Sequence, residues 1–585
     1  MKDSLRRSHG ALALVLCPAL GFGQAAAPLP AVQAPAAAIE LSALQDRALS
    51  GDAVDALNRF FDGAAQVPAA VPAFPGNLKA DIGAGQPGPS AGRTAPAVQG
   101  AEDAAAQAAA EVPSPAGKEL PGSFEEFRKV TDSSLPGWLQ KLIGWLKMPV
   151  DLAKKLHAEL LSRRAGTWDE IAAKLESEVA AVAAQAGGAS FESPAFVSAF
   201  EESLGTRFVR GGRVEPLIDG PASFAKRFEL IDDSRETIHI LSWALYDDET
   251  GYITSQKLIA KARQGVKVRI IVDEQVSFQE GKGGRLFPYL EDAGVLVVRW
   301  RSPEPERLYH GQHRKVMIVD GKAAIAGGMN FGDDYSHLGR STKWRDTDVL
   351  VEGPAVVQAE RLFARIWNEQ IERIEDRLSG EETLARRGRG YAPLPMPAEA
   401  SEEAAGPATA LIDHAPGDNG NGLKSILLAL EAARSSIDIE NAYFIMDPAV
   451  QRALVRAKER GVKVRVLTNS AESVDEPVVT YPILKSADAA RQEGIEVYLK
   501  KGSTLHSKFM VVDGLYCWVG SYNLQPRSHL MEGEMMVAVL DRAFAEQMRA
   551  AFEEDISRAS KATDPIELPS SLLSKIAYLF FYNQL

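Results

Sequence analysis

The chain has 585 residues, with 65 Lys and Arg against 78 Asp and Glu, for a formal charge of −13. That balance argues against a nucleic-acid binder, because such binding is largely counterion release by clustered basic groups. Its 2 cysteines exclude a disulfide framework, and its length allows two domains plus extensions.

In chain order, residues 1–27 read as a secretory signal peptide. Lys2, Arg6 and Arg7 precede the apolar run 11–22, and the small residues Ala25, Ala26 and Ala27 follow. The run is too short to span a bilayer. Cys17 sits inside it behind Leu16, which argues against a lipoprotein cleavage site; removing the signal leaves Cys517 alone, so no internal disulfide is expected. Residues 28–118 have the Ala/Pro/Gly-rich composition of a disordered tether. A short helix is expected over 40–61. Residues 119–204 read as a helical segment without a counterpart later in the chain. Within it, 135–147 places Trp138, Leu142 and Trp145 on one helical face, flanked by Lys141 and Lys147. That pattern suits a membrane interface, and equally a helix packed on the rest of the protein.

Residues 205–395 and 405–562 read as two copies of one domain. Gly265-Val266-Lys267-Val268-Arg269 returns as Gly461-Val462-Lys463-Val464-Arg465, and Gly294-Val295 returns as Gly494-Ile495. Each copy alternates strand-like and helix-like runs. In the first these are 238–243, 258–263 and 266–272; in the second, 437–444, 450–460 and 462–467. Strand, helix, strand with short connections predicts an α/β fold with a mostly parallel sheet and helices on its faces. Residues 563–585 form an apolar tail with Ile576, Tyr578, Leu579, Phe580, Phe581 and Tyr582. It is a second candidate for membrane contact and is too short to cross.

The densest signal is a duplicated box. His313-Arg314-Lys315 leads through four apolar residues to Asp320, and His506-Ser507-Lys508 leads likewise to Asp513. Each box is followed by an asparagine at the same interval, Asn330 and Asn523. The candidate catalytic residues are therefore His313, Lys315, Asp320, His506, Lys508 and Asp513. Asp320 and Asp513 each precede a glycine at a turn, where a structural role is expected. His and Lys two apart on a strand point to one face. A histidine beside a cation suits attack on a phosphate. Each histidine needs a carboxylate to fix its tautomer. Asp348 and Glu534 open strands downstream of their boxes and are expected to serve His313 and His506 respectively. His310-Gly311-Gln312-His313 lacks the Glu of a zinc-protease helix, so no metal is expected. His157, His239, His337, His414 and His529 read as packing or surface residues, with His337 and His529 placed where they could line the cleft.

With these boxes the chain resembles the phospholipase D superfamily, and within it the bacterial cardiolipin synthases, including those that use phosphatidylethanolamine as donor. The likeness is carried by the boxes and by Gly328-Met329-Asn330-Phe331-Gly332-Asp333-Asp334-Tyr335, Trp344-Arg345-Asp346-Thr347-Asp348-Val349, Leu467-Thr468-Asn469-Ser470, and Gly520-Ser521-Tyr522-Asn523-Leu524-Gln525-Pro526-Arg527-Ser528. Gly328 and Gln525 depart from the Ser and Asp more usual there. The resemblance implies two tandem α/β/α sandwich domains related by a pseudo-twofold axis, with the active centre between them. It implies His313 as nucleophile and His506 as acid/base, which the residues themselves leave symmetric. A neutral imidazole attacks the phosphodiester to give a phosphohistidine, and the second histidine protonates the leaving alkoxide. Lys315, Lys508, Asn330 and Asn523 would hold the non-bridging oxygens. No cofactor is called for.

The expected activity is phosphatidyl transfer between phospholipids such as phosphatidylglycerol and phosphatidylethanolamine, at a membrane surface in the cell envelope or periplasm. A hydrolytic phospholipase D releasing phosphatidic acid is the alternative, and a nuclease ranks third. No obligate oligomer is implied.

Overall fold

The computed structural model describes residues 119–131, 166–277, 283–302, 311–339, 343–399, 401–403, 405–416 and 420–570, with Lys575, Tyr578 and 582–584 of the tail. The expected signal peptide, tether, 40–61 helix and 135–147 segment lie outside the described residues.

The strands of the first copy are β1 (Val209–Arg210), β2 (Arg213–Ile218), β3 (Thr237–Ser242), β4 (Lys267–Asp273), β5 (Leu296–Trp300), β6 (Gly311–Gln312), β7 (Val316–Val319), β8 (Ala323–Gly327) and β9 (Thr347–Glu352). Those of the second are β10 (Ala408–His414), β11 (Ser436–Asn441), β12 (Lys463–Thr468), β13 (Glu496–Leu499), β14 (Lys508–Val512), β15 (Tyr516–Gly520), β16 (Glu532–Leu540) and β17 (Ser560–Lys561). They form two sheets, ordered β2-β9-β8-β7-β3-β4-β5 and β10-β16-β15-β14-β11-β12-β13. Strand by strand the orders are equivalent, as a pseudo-twofold relation requires. The second sheet is extended by β1 at one edge and β17 at the other. Val209–Arg210, expected within the first copy, thus pairs with β10 of the second.

Both sheets are mixed rather than mostly parallel. The crossovers from β3 to β4 to β5 and from β11 to β12 to β13 are parallel. The pairings on the other side of β3 and β11 are antiparallel. The cause lies in the boxes. Each box strand ends in Asp-Gly with both residues left-handed, at φ 51° and 61° for Asp320-Gly321 and 52° and 59° for Asp513-Gly514. Two successive left-handed residues make the tight hairpin turn that reverses a strand, so β7 and β14 return as β8 and β15 instead of crossing over.

The turn aspartates are tied down. Asp320 accepts the backbone N–H groups of Arg235, Glu236 and Thr237 at 2.8–2.9 Å. Asp513 does the same for Arg434, Ser435 and Ser436. Burial pushes the Asp320 carboxyl up, but its three backbone donors hold it below the ordinary value. Both aspartates lock their hairpin to the start of the neighbouring strand. Among the described residues they bond these backbone donors and not a box histidine, in keeping with the structural role expected of them.

The strands nearest the box, β7, β8, β14 and β15, are buried along their whole length, which explains their unbroken apolar runs. One apolar cluster joins the two copies. It combines Val316, Ile318, Ala326 and Phe363 of the first with Phe509, Val511, Val519, Phe544 and Phe552 of the second. Each such side chain contributes about 1.5–3 kcal/mol on burial, so separating the copies would expose this shared face, while each copy also holds an apolar cluster apart from it.

The helices ahead of the first copy do not form a separate layer. Trp168–Gln185 opens on a Thr167/Glu170 capping box, and Pro194–Leu204 has Ser193 as its N-cap. Both bury their apolar faces in the second copy's cluster beside Leu427, Ile437 and Tyr516. Phe127, from Phe124–Thr131, packs instead in the first copy, 5.9 Å from the Tyr252 ring. In the tail, Tyr578 and Tyr582 pack against Ile445, Val479 and Ile483. Tyr582 donates to the Met446 carbonyl at 3.1 Å. These two tyrosines face the protein; Ile576, Leu579, Phe580 and Phe581 of the expected apolar tail lie outside the described residues. No described helix is long and apolar enough to cross a membrane.

Candidate active site

Each box histidine sits where its chain crosses to the other copy. β6 pairs in parallel with the start of β16, and the N–H of His313 donates to the Gly533 carbonyl at 2.8 Å. On the opposite side Arg345 pairs with Leu505, and the N–H of His506 donates to the Arg345 carbonyl at 2.7 Å. In both places the anchoring carbonyl belongs to the residue just before a buried carboxylate of the other copy.

That carboxylate holds the imidazole. His313 Nδ1 lies 3.0 Å from Glu534, and His506 Nδ1 lies 2.7 Å from Asp346. The pairing is therefore crossed. Glu534 serves His313, not the His506 of its own box. Asp346, absent from the sequence-based set, serves His506. Asp348 meets neither histidine: it accepts Ser223 Oγ at 2.5 Å and Arg227 at 2.8 Å, a fully buried ion pair. Asp346 and Asp348 are two apart, so strand alternation alone could not separate them. A carboxylate on Nδ1 fixes the Nδ1–H tautomer and leaves Nε2 with the free lone pair.

The two half-sites share one low-dielectric centre. Burial, then the Lys315 charge, holds the His313 imidazolium well below its usual range, and His506 and Lys508 add to the effect. Burial, then Lys508, also lowers His506, with Asp346 opposing. Burial brings Lys315 down to about 7 and Lys508 to about 8. Each ammonium donates to the carbonyl of its own box histidine, and Lys508 also lies 3.1 Å from His506 Nδ1. Asp346 is raised by burial, yet the His506 and Lys508 charges hold it below the ordinary carboxylate value. Glu534, in contrast, is pushed by burial up to about 7.

The asparagines differ. Asn330 donates to the Tyr335 hydroxyl at 2.9 Å, while its oxygen receives Ser242 and the Ala244 N–H at 3.3 Å. Asn523 is buried, and its side-chain oxygen has no hydrogen-bond partner among the described residues. Aromatic rings wall the histidines. Trp344 stacks on His506 at 5.2 Å, Tyr335 meets it edge-on at 5.2 Å, and Trp243 meets His313 edge-on at 6.0 Å. Of the histidines expected to be peripheral, His337 bonds the Trp344 carbonyl at 2.7 Å, and His529 is half-buried against His414 and Trp168. Neither touches a box histidine.

His313, Glu532 and Glu534 bring ligand atoms within 4.8 Å of one another, a set of the type that takes a divalent cation. These carboxylates already have partners. Arg527 holds Glu532 at 2.6 Å, and the Ser521 and Ser528 hydroxyls donate to Glu534 at 2.5 and 2.7 Å.

Two equivalent mixed sheets that bring two His-x-Lys boxes into one buried centre define a phospholipase D-type enzyme. A family model described as cardiolipin synthase, PLD-like domain, matches residues 228–367 and 426–556. Cardiolipin synthase A of Pseudomonas syringae pv. syringae is 30% identical over 353 residues, covering 59% of this chain and 69% of that protein. Cardiolipin synthase of Staphylococcus aureus strain Mu50 is 29% identical over 352 residues, covering 59% and 67%. A solved structure, the phosphatidylserine synthase of Haemophilus influenzae Rd KW20, superimposes with a TM-score of 0.51 at 15% identity, over 66% of this chain and 97% of that one. At that identity the likeness speaks for the fold alone. The chain belongs to the cardiolipin synthase family of the phospholipase D superfamily.

Proposed function

We propose that the protein transfers a phosphatidyl group between phospholipids through a phosphohistidine. The observation that carries this reading is the crossed pair, His313 with Glu534 and His506 with Asp346, converging in one buried centre. Nε2 of neutral His313 attacks phosphorus, the bond to the leaving headgroup oxygen breaks, and imidazolium His506 protonates that oxygen. His506 then takes the proton of an incoming alcohol, whose oxygen displaces His313. Lys315, Lys508 and Asn523 steady the phosphoryl oxygens while charge builds.

The surroundings support this direction. Burial and the Lys315 charge favour the neutral form of His313, and a nucleophile must be neutral. His506 faces Asp346, whose charge favours the imidazolium that an acid must be. Water in place of the alcohol would give phosphatidic acid, the hydrolytic alternative. The test is to incubate purified protein with labelled phosphatidylglycerol or phosphatidylethanolamine, with and without glycerol. A transferase yields a new diester whose amount follows the acceptor; phosphatidic acid as sole product under every condition overturns the transferase reading.

The scheme uses no metal. Complete loss of activity in a strong chelator, restored by zinc or magnesium, would contradict it and would point to His313, Glu532 and Glu534. The leader 1–27 suits export to the cell envelope, and the tryptophans of 135–147 suit contact with a lipid surface. Replacing Trp138 and Trp145 by Ser should weaken liposome binding while sparing cleavage of a soluble phosphodiester. Unchanged liposome binding would remove this segment from the membrane contact.

A further inference from the structure

The half-sites differ at the two residues that flank each backbone pairing. The residue before the orienting carboxylate is Arg345 at the His506 site and Gly533 at the His313 site. The residue after the histidine is Ser507 at the first and Arg314 at the second. Each half-site thus has one buried arginine, delivered from opposite sides of the same backbone pairing. Gly533 is a glycine for a spatial reason. A Cβ there would lie 2.1 Å from the Arg314 guanidinium, so Arg314 occupies the volume a side chain would need.

Both arginines anchor in the second copy. Arg314 donates to Asp413 at 2.6 Å and to the His414 carbonyl at 2.8 Å, with Arg365 on the other Asp413 oxygen at 2.5 Å. Arg345 is held by Asp555 at 2.7 and 2.8 Å, with Glu440 at 3.6 Å and Asp219 at 3.7 Å. Its remaining nitrogen donates to the Asp346 carbonyl at 2.6 Å and to Thr347 at 2.8 Å, and its own carbonyl receives the His506 and Ser507 N–H groups. Arg345 therefore grips His506 and its carboxylate from one residue. Arg314 continues directly from His313 and lies against the backbone that leads into Glu534.

We propose that Arg345 and Arg314 are positioning residues, each clamping one histidine–carboxylate pair across the boundary between the copies, so that each governs the chemical step of its own histidine. The proposal rests on the two-histidine scheme above. It separates from that scheme because it concerns which histidine each arginine follows, whatever that histidine does.

The test uses leaving-group demand. Phosphatidylglycerol needs its departing alkoxide protonated, whereas phosphatidyl-p-nitrophenol releases a stable phenolate. In the latter the P–O bond breaks, the P–N bond to histidine forms, and the phenolate leaves without a proton. The full chain and its Arg345→Lys, Arg314→Lys, His506→Ala and His313→Ala variants are compared on both lipids by rapid quench. Lysine keeps the charge and loses the fork. Arg345→Lys should lose at least about tenfold on phosphatidylglycerol yet keep a first-turnover burst of nitrophenolate, as His506→Ala does; the protein's general-acid step is typically worth about 10²–10⁴-fold. Arg314→Lys should lose the burst, as His313→Ala does.

Equal losses on both lipids in both arginine variants, or wild-type behaviour in both, would overturn the proposal. If His313→Ala keeps the burst and His506→Ala loses it, the nucleophile assignment fails, while the clamps stand if each arginine still follows its own histidine. Should Arg345→Lys show no cooperative melt, Asp555→Asn, which removes only the distant anchor's charge, is read in the same assays. A selective loss on phosphatidylglycerol supports the clamp, and an equal or absent effect on both lipids refutes it.

Discussion

The His313 and His506 half-sites are built on one plan and tuned apart. Both anchor a histidine N–H on the carbonyl before a carboxylate of the other copy. At His313 that carboxylate is Glu534, which burial raises to about 7 against the opposing effect of two serine hydroxyl donors. At His506 it is Asp346, held low by the charges around it. The position equivalent to Ser521 is Gly328, where a Cβ would come within 2.2 Å of Asp346 Oδ1. Duplication supplied two identical frames. Different neighbours favour a neutral imidazole in one frame and set a charged carboxylate against the imidazole in the other, the division of labour that the proposed nucleophile and acid need.

The strongest way to break the comparison is to delete either histidine. His313→Ala and His506→Ala should each lower phosphatidyl transfer by more than about 10²-fold, since acid–base catalysis alone is typically worth about 10²–10⁴-fold. A variant retaining more than about a hundredth of wild-type rate in a radiolabelled lipid assay would end the two-histidine scheme.

The crossing itself comes next. Glu534→Gln and Asp346→Asn should each cut kcat by about 10²–10⁴-fold, as loss of a tautomer-fixing carboxylate does elsewhere. Asp348→Asn should act differently. It leaves Arg227 buried without its partner, and breaking such a pair costs about 3–5 kcal/mol. A depressed Tm with kcat of the surviving folded protein near wild type is expected; the reverse pattern would restore Asp348 to the catalytic machinery.

A pH profile sharpens the contrast. Glu534 is charged above about 7 and neutral below it, so activity should fall on the acid side as His313 loses its charged partner. Lys315 and Lys508 lose their charge as pH rises through about 7 and about 8, so activity should fall on the alkaline side as well. The result is a narrow bell between those values, whose acid limb should shift in Glu534→Gln. An acid limb unmoved by that substitution would assign it to another group. The smallest expected effect is that of Gly328→Ser. The added side chain should push Asp346 off His506 and lower kcat by about 10-fold, within the usual 10–100-fold range for groups behind a first contact. An unchanged rate would show that Asp346 has room to give.

Much of this was readable in one dimension. Duplicated boxes carry their own spacing, so the two copies, the paired histidines and the lysines on the same face follow from residue order and strand alternation. The Asp-Gly turns were equally present in the sequence, and as hairpin signals they call for antiparallel neighbours. The crossover pattern alone led to the mostly parallel expectation. Asp346 was one step from the expected Asp348 and shares its strand parity, so no local rule could choose between them.

What residue order determined, then, is everything set by local periodicity: the chemistry of the boxes, the strand faces that carry it and the turns that close it. Tertiary structure alone decided which carboxylate reaches which histidine, where Arg314 and Arg345 anchor, and that Tyr578, Tyr582 and the helices Trp168–Gln185 and Pro194–Leu204 pack on the second copy. Those are contacts between segments far apart in the chain. They form because two half-buried sheets have one low-energy way to cover their shared apolar face, and that packing carries the polar groups into place with it.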